Sequence, residues 1–223
     1  MQASQVHTLP QAFKLFSRHT SPILLMLIMA SFIVTRVYLG DTLERLELSM
    51  MVGLILYWPF QEWWMHRFLL HLPPISWRGR SYEMDFARIH RLHHADPKDL
   101  ILAFLPAPAI IVALIAFTSV FYLVSGSVAY TCTWMATASA SSILYEWVHF
   151  LTHTDYKPNG QYYRRIWKLH RWHHYKNEHY WFSFTVPWVD QWLGTGPLPK
   201  DVPHSPTARQ INPTQTNDEG VET

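Results

Sequence analysis

Residues 100–145 read LILAFLPAPAIIVALIAFTSVFYLVSGSVAYTCTWMATASASSILY, 46 consecutive positions without Asp, Glu, Lys, Arg or His. A helix needs about 20 apolar residues to cross the hydrocarbon core of a bilayer, so this run is long enough for two spans. Ser125-Gly126-Ser127 supplies a turn between them, and Pro106 and Pro108 lie near the start, where a kinked or interfacial entry is tolerated. The stretch predicts a helical hairpin in the membrane.

A second hairpin is expected upstream. Pro22 to Leu39 is apolar except for Arg36, whose aliphatic stem can snorkel to an interface, and Leu48 to Gln61 is apolar again after the polar turn Gly40 to Glu47. The latter piece spans only if its helix begins near Leu43 and continues through Glu62-Trp63-Trp64 toward His66. A cleaved signal peptide is the competing reading of Pro22 to Leu39, but no small-residue cleavage site follows it. The expectation is an all-α integral membrane fold of four transmembrane helices in two hairpins. Residues 1–20 form an N-terminal segment, 21–199 the membrane domain, and 200–223 a Pro/Thr/Asn-rich polar tail expected to be disordered.

Composition agrees with a chain that is part bilayer span and part polar head. Of 223 residues 49% are hydrophobic and only 15% charged, against about a quarter charged in an average soluble domain, yet mean hydropathy is −0.04. With four spans, one side holds 16 Lys/Arg and the other only Arg36 and Arg45. The positive-inside rule then places both termini and the segments after each hairpin in the cytoplasm. Ten of the 11 Trp, all but Trp134, fall on or near that side, as an interfacial belt requires. A net charge of +2 without a basic run gives no reason to expect nucleic acid.

The chain has 14 histidines, nearly as many as its 16 acidic residues, and a single cysteine, Cys132. One cysteine excludes a disulfide framework and a Cys-based metal site, leaving histidine as the abundant strong ligand. Ten histidines form four clusters: His66 and His71; His90, His93 and His94; His149 and His153; His170, His173 and His174. Positions i, i+3 and i+4 share a helix face, so the two triplets can each aim several imidazoles at one point. His66 and His71 are five apart and lie about 140° apart on an ideal helix, so one of them needs a distorted or ending turn, for which Pro73-Pro74 is the stop.

One ion takes about four to six ligands, so ten imidazoles are too many for one and suffice for two, each with about five nitrogens and open positions. All-nitrogen coordination with vacancies suits redox iron that binds dioxygen, whereas structural zinc is usually closed. A site at the bilayer surface points to a lipid substrate entering from the membrane. The predicted cap is therefore cytosolic, helical and histidine-rich, with a dinuclear centre. His7, His19 and His204 lie in expected tails; His179, just past the last cluster, is a further candidate. Glu62, Glu146 and Asp155 are candidates to accept the second ring proton of ligating histidines. The two halves echo each other, each a hairpin followed by two histidine clusters.

The ordered clusters from His66 to Gly196 resemble the fatty acid hydroxylase superfamily of histidine-rich membrane di-iron enzymes, which includes fatty acid 2-hydroxylases, sterol desaturases and sterol methyl oxidases. His93-His94-Ala95-Asp96-Pro97-Lys98-Asp99 followed by Leu105-Pro106-Ala107-Pro108 looks like the segment after the second cluster of fatty acid 2-hydroxylases. Tyr145-Glu146-Trp147-Val148-His149 is similar to their entry into the third cluster, with Glu146 where an Asp is familiar, and Phe182-Ser183-Phe184-Thr185 through Asp190 to Gly194-Thr195 resembles the family's ending.

The resemblance implies aerobic hydroxylation of an acyl chain, with the ten clustered histidines as ligands of two iron ions, replaceable by zinc on purification, and Tyr145 and Glu146 near the substrate. Dioxygen is the implied co-substrate. No haem domain or G-x-G-x-x-G unit occurs, so electrons are expected from a separate ferredoxin or cytochrome b-type protein with its reductase. Desaturation or methyl oxidation of a ring lipid on the same site is the alternative enzyme reading. A non-enzymatic metal transporter or sensor is the other, but residues 100–145 offer no ionisable group to line a path through the bilayer.

Overall fold

The computed structural model describes residues 6–40 and 42–211 and is mostly helical. In chain order the elements are α1 (Leu9–Phe16), α2 (Thr20–Tyr38), α3 (Arg45–Trp64) running into a π-helical turn (Met65–Leu70), β1 (Ile75–Trp77), β2 (Arg80–Tyr82), α4 (Asp85–Ala95), a 3-10 turn (Leu100–Ala103), α5 (Ala107–Ser125), α6 (Val128–Thr152), α7 (Gln161–Tyr175), α8 (Trp188–Trp192) and a second 3-10 turn (Pro199–Asp201). Among the described residues the one departure from all-α structure is the short antiparallel hairpin β1–β2, paired Ile75 to Tyr82 and Trp77 to Arg80. Its two-residue turn, Arg78-Gly79, has positive φ at both positions (50° and 73°), the twist a tight hairpin needs.

Local sequence explains the helix ends. Thr8 and Gln11 form a capping box on α1, and the Glu47 carboxylate accepts from the Glu44 amide at the start of α3. Pro106 caps α5 with Pro108 in its first turn, where a missing N–H costs nothing. Gly126 closes α5 at φ +62°, a left-handed conformation that a side chain would disfavour, and Ser127 caps α6 through the Tyr130 amide. The turn within the uncharged run thus falls at Ser125-Gly126-Ser127 as expected.

Helix α6 is the axis of the bundle. It packs on α2, α3 and α5 and buries Thr131, Cys132, Thr133, Met135, Thr137 and Ser139. Small hydroxylated side chains permit close helix approach, and Thr137 and Ser139 return their hydroxyls to the carbonyls of Thr133 and Met135, both at 2.8 Å. Arg36 does not snorkel. It is buried and bidentate to Glu47 (Nε–Oε1 2.7 Å, NH2–Oε2 2.8 Å), and Thr133 of α6 donates to the same carboxylate at 2.6 Å. Snorkelling fails because α3 brings this matched acid within reach, and a buried ion is tolerated only with such a partner. At the other end Phe16, Phe104 and Phe150 close a core that ties α1 and the Leu100–Ala103 turn to α6.

Among the described residues two segments are long and apolar enough to cross a bilayer, Thr20–Tyr38 and Leu100–Ser125. Helices α3 and α6, of 20 and 25 residues, are long enough, but α3 carries Arg45, Glu47 and Glu62 and α6 is rich in Ser and Thr. Large apolar side chains on α2, α3 and α5 face outward, among them Val34, Val37, Leu56, Val112, Leu123 and Val124.

The expected tail begins too early. Residues 200–211 are bound to the cap, with Val202, Ala208 and Ile211 buried; their polar composition hid this because Ser205, Thr207 and Arg209 bond to the ends of α4 and α7. Residues 212–223 lie outside the described residues.

Candidate metal centre

The π turn that follows α3 and the C-terminal end of α6 each deliver one histidine pair, and α4 and α7 carry one triplet each. At the end of α3 the helix widens into a π turn over Met65–Leu70. One inserted residue makes a spacing of five behave as four does on an α-helix, so His66 and His71 come to one side, with ring centroids 5.1 Å apart. Pro73 and Pro74 follow that turn.

The ten histidines gather into two groups of five. His66, His71, His90, His94 and His173 form pocket one; His93, His149, His153, His170 and His174 form pocket two, and within each group the ligand atoms lie within 4.8 Å of one another. The triplets therefore do not converge on single points, as their shared helix faces suggested. At 100° per residue, i and i+4 are about 40° apart while i+3 falls about 60° to the other side. His90 and His94 enter pocket one and His93 crosses to pocket two; His170 and His174 enter pocket two and His173 crosses to pocket one. Each half of the chain supplies four ligands of one pocket and one of the other.

Backbone carbonyls fix the rings. His66 Nδ1 meets Phe182 O at 2.7 Å, His173 Nδ1 meets Tyr180 O at 2.7 Å, His94 Nδ1 meets Ala208 O at 2.9 Å and His149 Nδ1 meets Ala103 O at 2.9 Å. A carbonyl only accepts, so in each the proton is on Nδ1 and Nε2 keeps its lone pair. The Nε2 atoms of His94 and His173 nevertheless face each other at 3.2 Å, two acceptors with no proton between them. Such an approach is repulsive unless a cation lies between. With metal–nitrogen bonds of about 2.0–2.1 Å, neighbouring ligands at right angles on one ion sit about 3 Å apart. The other Nε2 pairs, His66–His90 (3.2 Å), His93–His153 (3.0 Å), His153–His170 (2.7 Å) and His170–His174 (3.0 Å), cluster at that spacing. The donor set fits one metal ion in each pocket.

Burial keeps the rings neutral and ready to ligate. His93, His94, His170, His173 and His174 are fully buried, and desolvation holds His66, His90, His93, His153, His170, His173 and His174 well below the usual histidine value. His94 is lowered to about 4 by the same desolvation, partly opposed by the Ala208 carbonyl and the Glu178 charge. His179 is largely exposed, belongs to neither pocket and lies 3.5 Å from Glu178.

The carboxylates have other tasks than the one expected of them. The ring protons resolved above go to carbonyls, not to Glu62, Glu146 or Asp155. Glu62 accepts from the amide and hydroxyl of Thr185 (3.1 and 2.7 Å), and Glu146 from the Leu105 amide (2.9 Å) and the Ser21 hydroxyl. The reason is reach: both leave helices beside the loops that frame the pockets and pin those loops. Tyr145 does approach the centre. Its ring lies 5.9 Å from His149 and meets Phe184 edge-on at 5.0 Å.

The loop 181–185 was not singled out by chemistry, because it carries no ligand. Fully buried Phe184 packs against His66, His149 and His170, and Phe182 supplies the carbonyl for His66. Trp181 sits at φ +59°, strained for a residue with a side chain, and is held by its amide to Thr195 O (2.9 Å) and its indole to Pro197 O (3.1 Å). Asp190 accepts from the amides of Phe182 and Ser183 and the Thr195 hydroxyl at 2.7–2.9 Å. Asp190→Ala strands three buried donors, and a loss of about 3 kcal/mol or more is expected. For a chain of this size that lowers the midpoint of thermal unfolding in detergent by roughly 6 °C or more; an unchanged midpoint would show that the loop is anchored elsewhere.

The sequence model of the fatty acid hydroxylase family matches residues 51–195, which include all ten clustered histidines and the Asp190 loop. The chain belongs to the fatty acid hydroxylase family. Among solved structures, one described as full-length scs7p with only its hydroxylase domain visible has a TM-score of 0.68 and 22% identity, covering 83% of this chain and 68% of that one. At that identity the likeness is one of fold. No curated protein sequence matches this chain.

Proposed function

We propose that the protein is a multi-pass membrane di-iron monooxygenase that hydroxylates a lipid acyl chain, with its histidine cap and both termini on the cytoplasmic side. The observation that carries this reading is the pair of five-imidazole pockets, in which Nε2 lone pairs of carbonyl-fixed rings meet at the spacing of neighbouring ligands on one ion. His66, His71, His90, His94 and His173 would hold one ion and His93, His149, His153, His170 and His174 the other. Five nitrogens leave an open position on a six-coordinate ion, which a structural site would not keep. Two iron ions there would supply dioxygen activation and the oxidation of an unactivated carbon.

The chain's own part is geometric. Carbonyls hold the tautomers, burial excludes water and keeps the imidazoles unprotonated, and Tyr145 and Phe184 form an apolar wall beside pocket two along which an acyl chain would lie. The outward apolar surface of α2, α3 and α5 supports all four long helices lying in lipid, with the acyl chain entering from the bilayer. Electrons would come from a separate protein.

Two measurements test this. The purified protein should hold about two metal ions per chain, iron or substituted zinc; one or none would refute a dinuclear centre. Lipid mass spectrometry of cells with and without the gene should show one added oxygen on an acyl chain. A loss of two hydrogens instead would assign a desaturase, and unchanged lipids with bound metal would favour a non-enzymatic role.

A further inference from the structure

We infer that residues 199–211, which lie beyond the segment matched by the family, form a strap that positions His94 and thereby completes pocket one alone. The inference rests on the reading of the pockets as metal sites. Two contacts carry it. The Ala208 carbonyl takes the Nδ1 proton of fully buried His94 (2.9 Å), so the strap sets the tautomer of a ligand on a distant helix. Arg209 donates Nε to the His94 carbonyl (2.8 Å) and a terminal nitrogen to the Ala95 carbonyl, occupying two acceptors left open at the C-terminal end of α4.

The strap is fastened on its far side to the end of α7. Ser205 N donates to Lys176 O (2.8 Å), Asn177 Nδ2 to Pro203 O (3.2 Å), and the Thr207 hydroxyl to the buried Glu178 carboxylate. The Arg209 guanidinium also lies 5.4 Å from the centre of the Tyr175 ring. One short segment therefore ties the ends of the two triplet helices together. Three further carbonyl partners of ring protons, Phe182, Tyr180 and Ala103, come from within residues 51–195. The ring the strap meets is that of His94 in pocket one, and its ties to the end of α7 are to Lys176, Asn177 and Glu178 rather than to a pocket-two ring, so weakening the strap should loosen the ion of pocket one first.

Arg209→Ala is the test, because Arg209 is exposed and its loss removes no core packing. The protein is loaded with zinc and metal release is followed in excess chelator. In the parent both ions should leave slowly. In the variant one ion per chain should leave roughly 10- to 100-fold faster, the range for lost support behind a ligand, while the second keeps the parent rate and helix content by circular dichroism is unchanged. Arg209→Lys, which can still reach one carbonyl, should fall between. A chain ending after His204 should give the same one-ion defect more strongly. Two ions released at the parent rate from Arg209→Ala, or two released equally fast, would overturn the strap's selective role. A parent chain that binds no zinc would overturn the metal reading itself.

Discussion

Replacing His170 with Ala is expected to cost the protein the ion of pocket two and abolish lipid oxidation, and His173→Ala is expected to cost it the ion of pocket one with the same loss of product. The two residues are one turn apart on α7, their rings are 5.9 Å apart and nearly parallel, yet they serve different groups. Loss of a group that merely supports a ligand costs about 10- to 100-fold in affinity or activity, so loss of a ligand should cost at least about a hundredfold. Metal analysis should find about one ion in each variant and about two in the parent. A variant that keeps both ions and its activity refutes the assignment of that histidine. Loss of both ions from either variant would show that the pockets fill as one unit.

The second large effect is an acid transition. Seven buried histidines outside the long helices have ring values held well below the ordinary 6.5 by desolvation, and His94 is held at about 4. As pH falls through 6.5 the unfolded chain takes up protons that the folded chain refuses, so the unfolded state binds more protons and stability falls. Each such histidine costs about 1.4 kcal/mol per pH unit between its unfolded and folded values. Their effects act in one direction on a fold whose whole stability, for an ordinary domain, is about 5–15 kcal/mol. Bound metal acts in the same direction, because it too requires neutral rings. Tryptophan fluorescence in detergent should therefore show cooperative unfolding between about pH 6 and 5. A protein still folded at pH 4 would contradict the shared burial of these rings.

Much of the centre was legible because its chemistry is carried by residue type and spacing. Ten histidines in four clusters, too many for one ion and enough for two, are read directly from the chain, and the structure sorts them five and five. What spacing alone left open is the direction of the i+3 member: a shared face predicted one target for each triplet, but His93 and His173 each enter the other pocket, and only packing decides which one a ring enters. The five-residue gap between His66 and His71 demanded a distorted turn without saying which, and the π turn answers it by widening the helix rather than ending it at His66. The carbonyls of Ala103, Tyr180, Phe182 and Ala208 were invisible because every residue has one. The strap was misread for a related reason: it is tethered largely through backbone groups and short polar side chains, which leave no hydrophobic period. Val202, Ala208 and Ile211 were its only apolar trace. Arg36 was misplaced because its partner Glu47 is supplied by a separate helix.

The exchange of one histidine between the two halves has a consequence for synthesis. Pocket one waits for His173 and pocket two for His174, the last ligand of each, and these are neighbours in the chain. No nascent fragment short of α7 contains a complete set for either ion, and both sets become complete within one residue of translation. If the pockets are metal sites, neither ligand set precedes the other by more than one residue of chain, and His94 of pocket one then still awaits its carbonyl partner at Ala208.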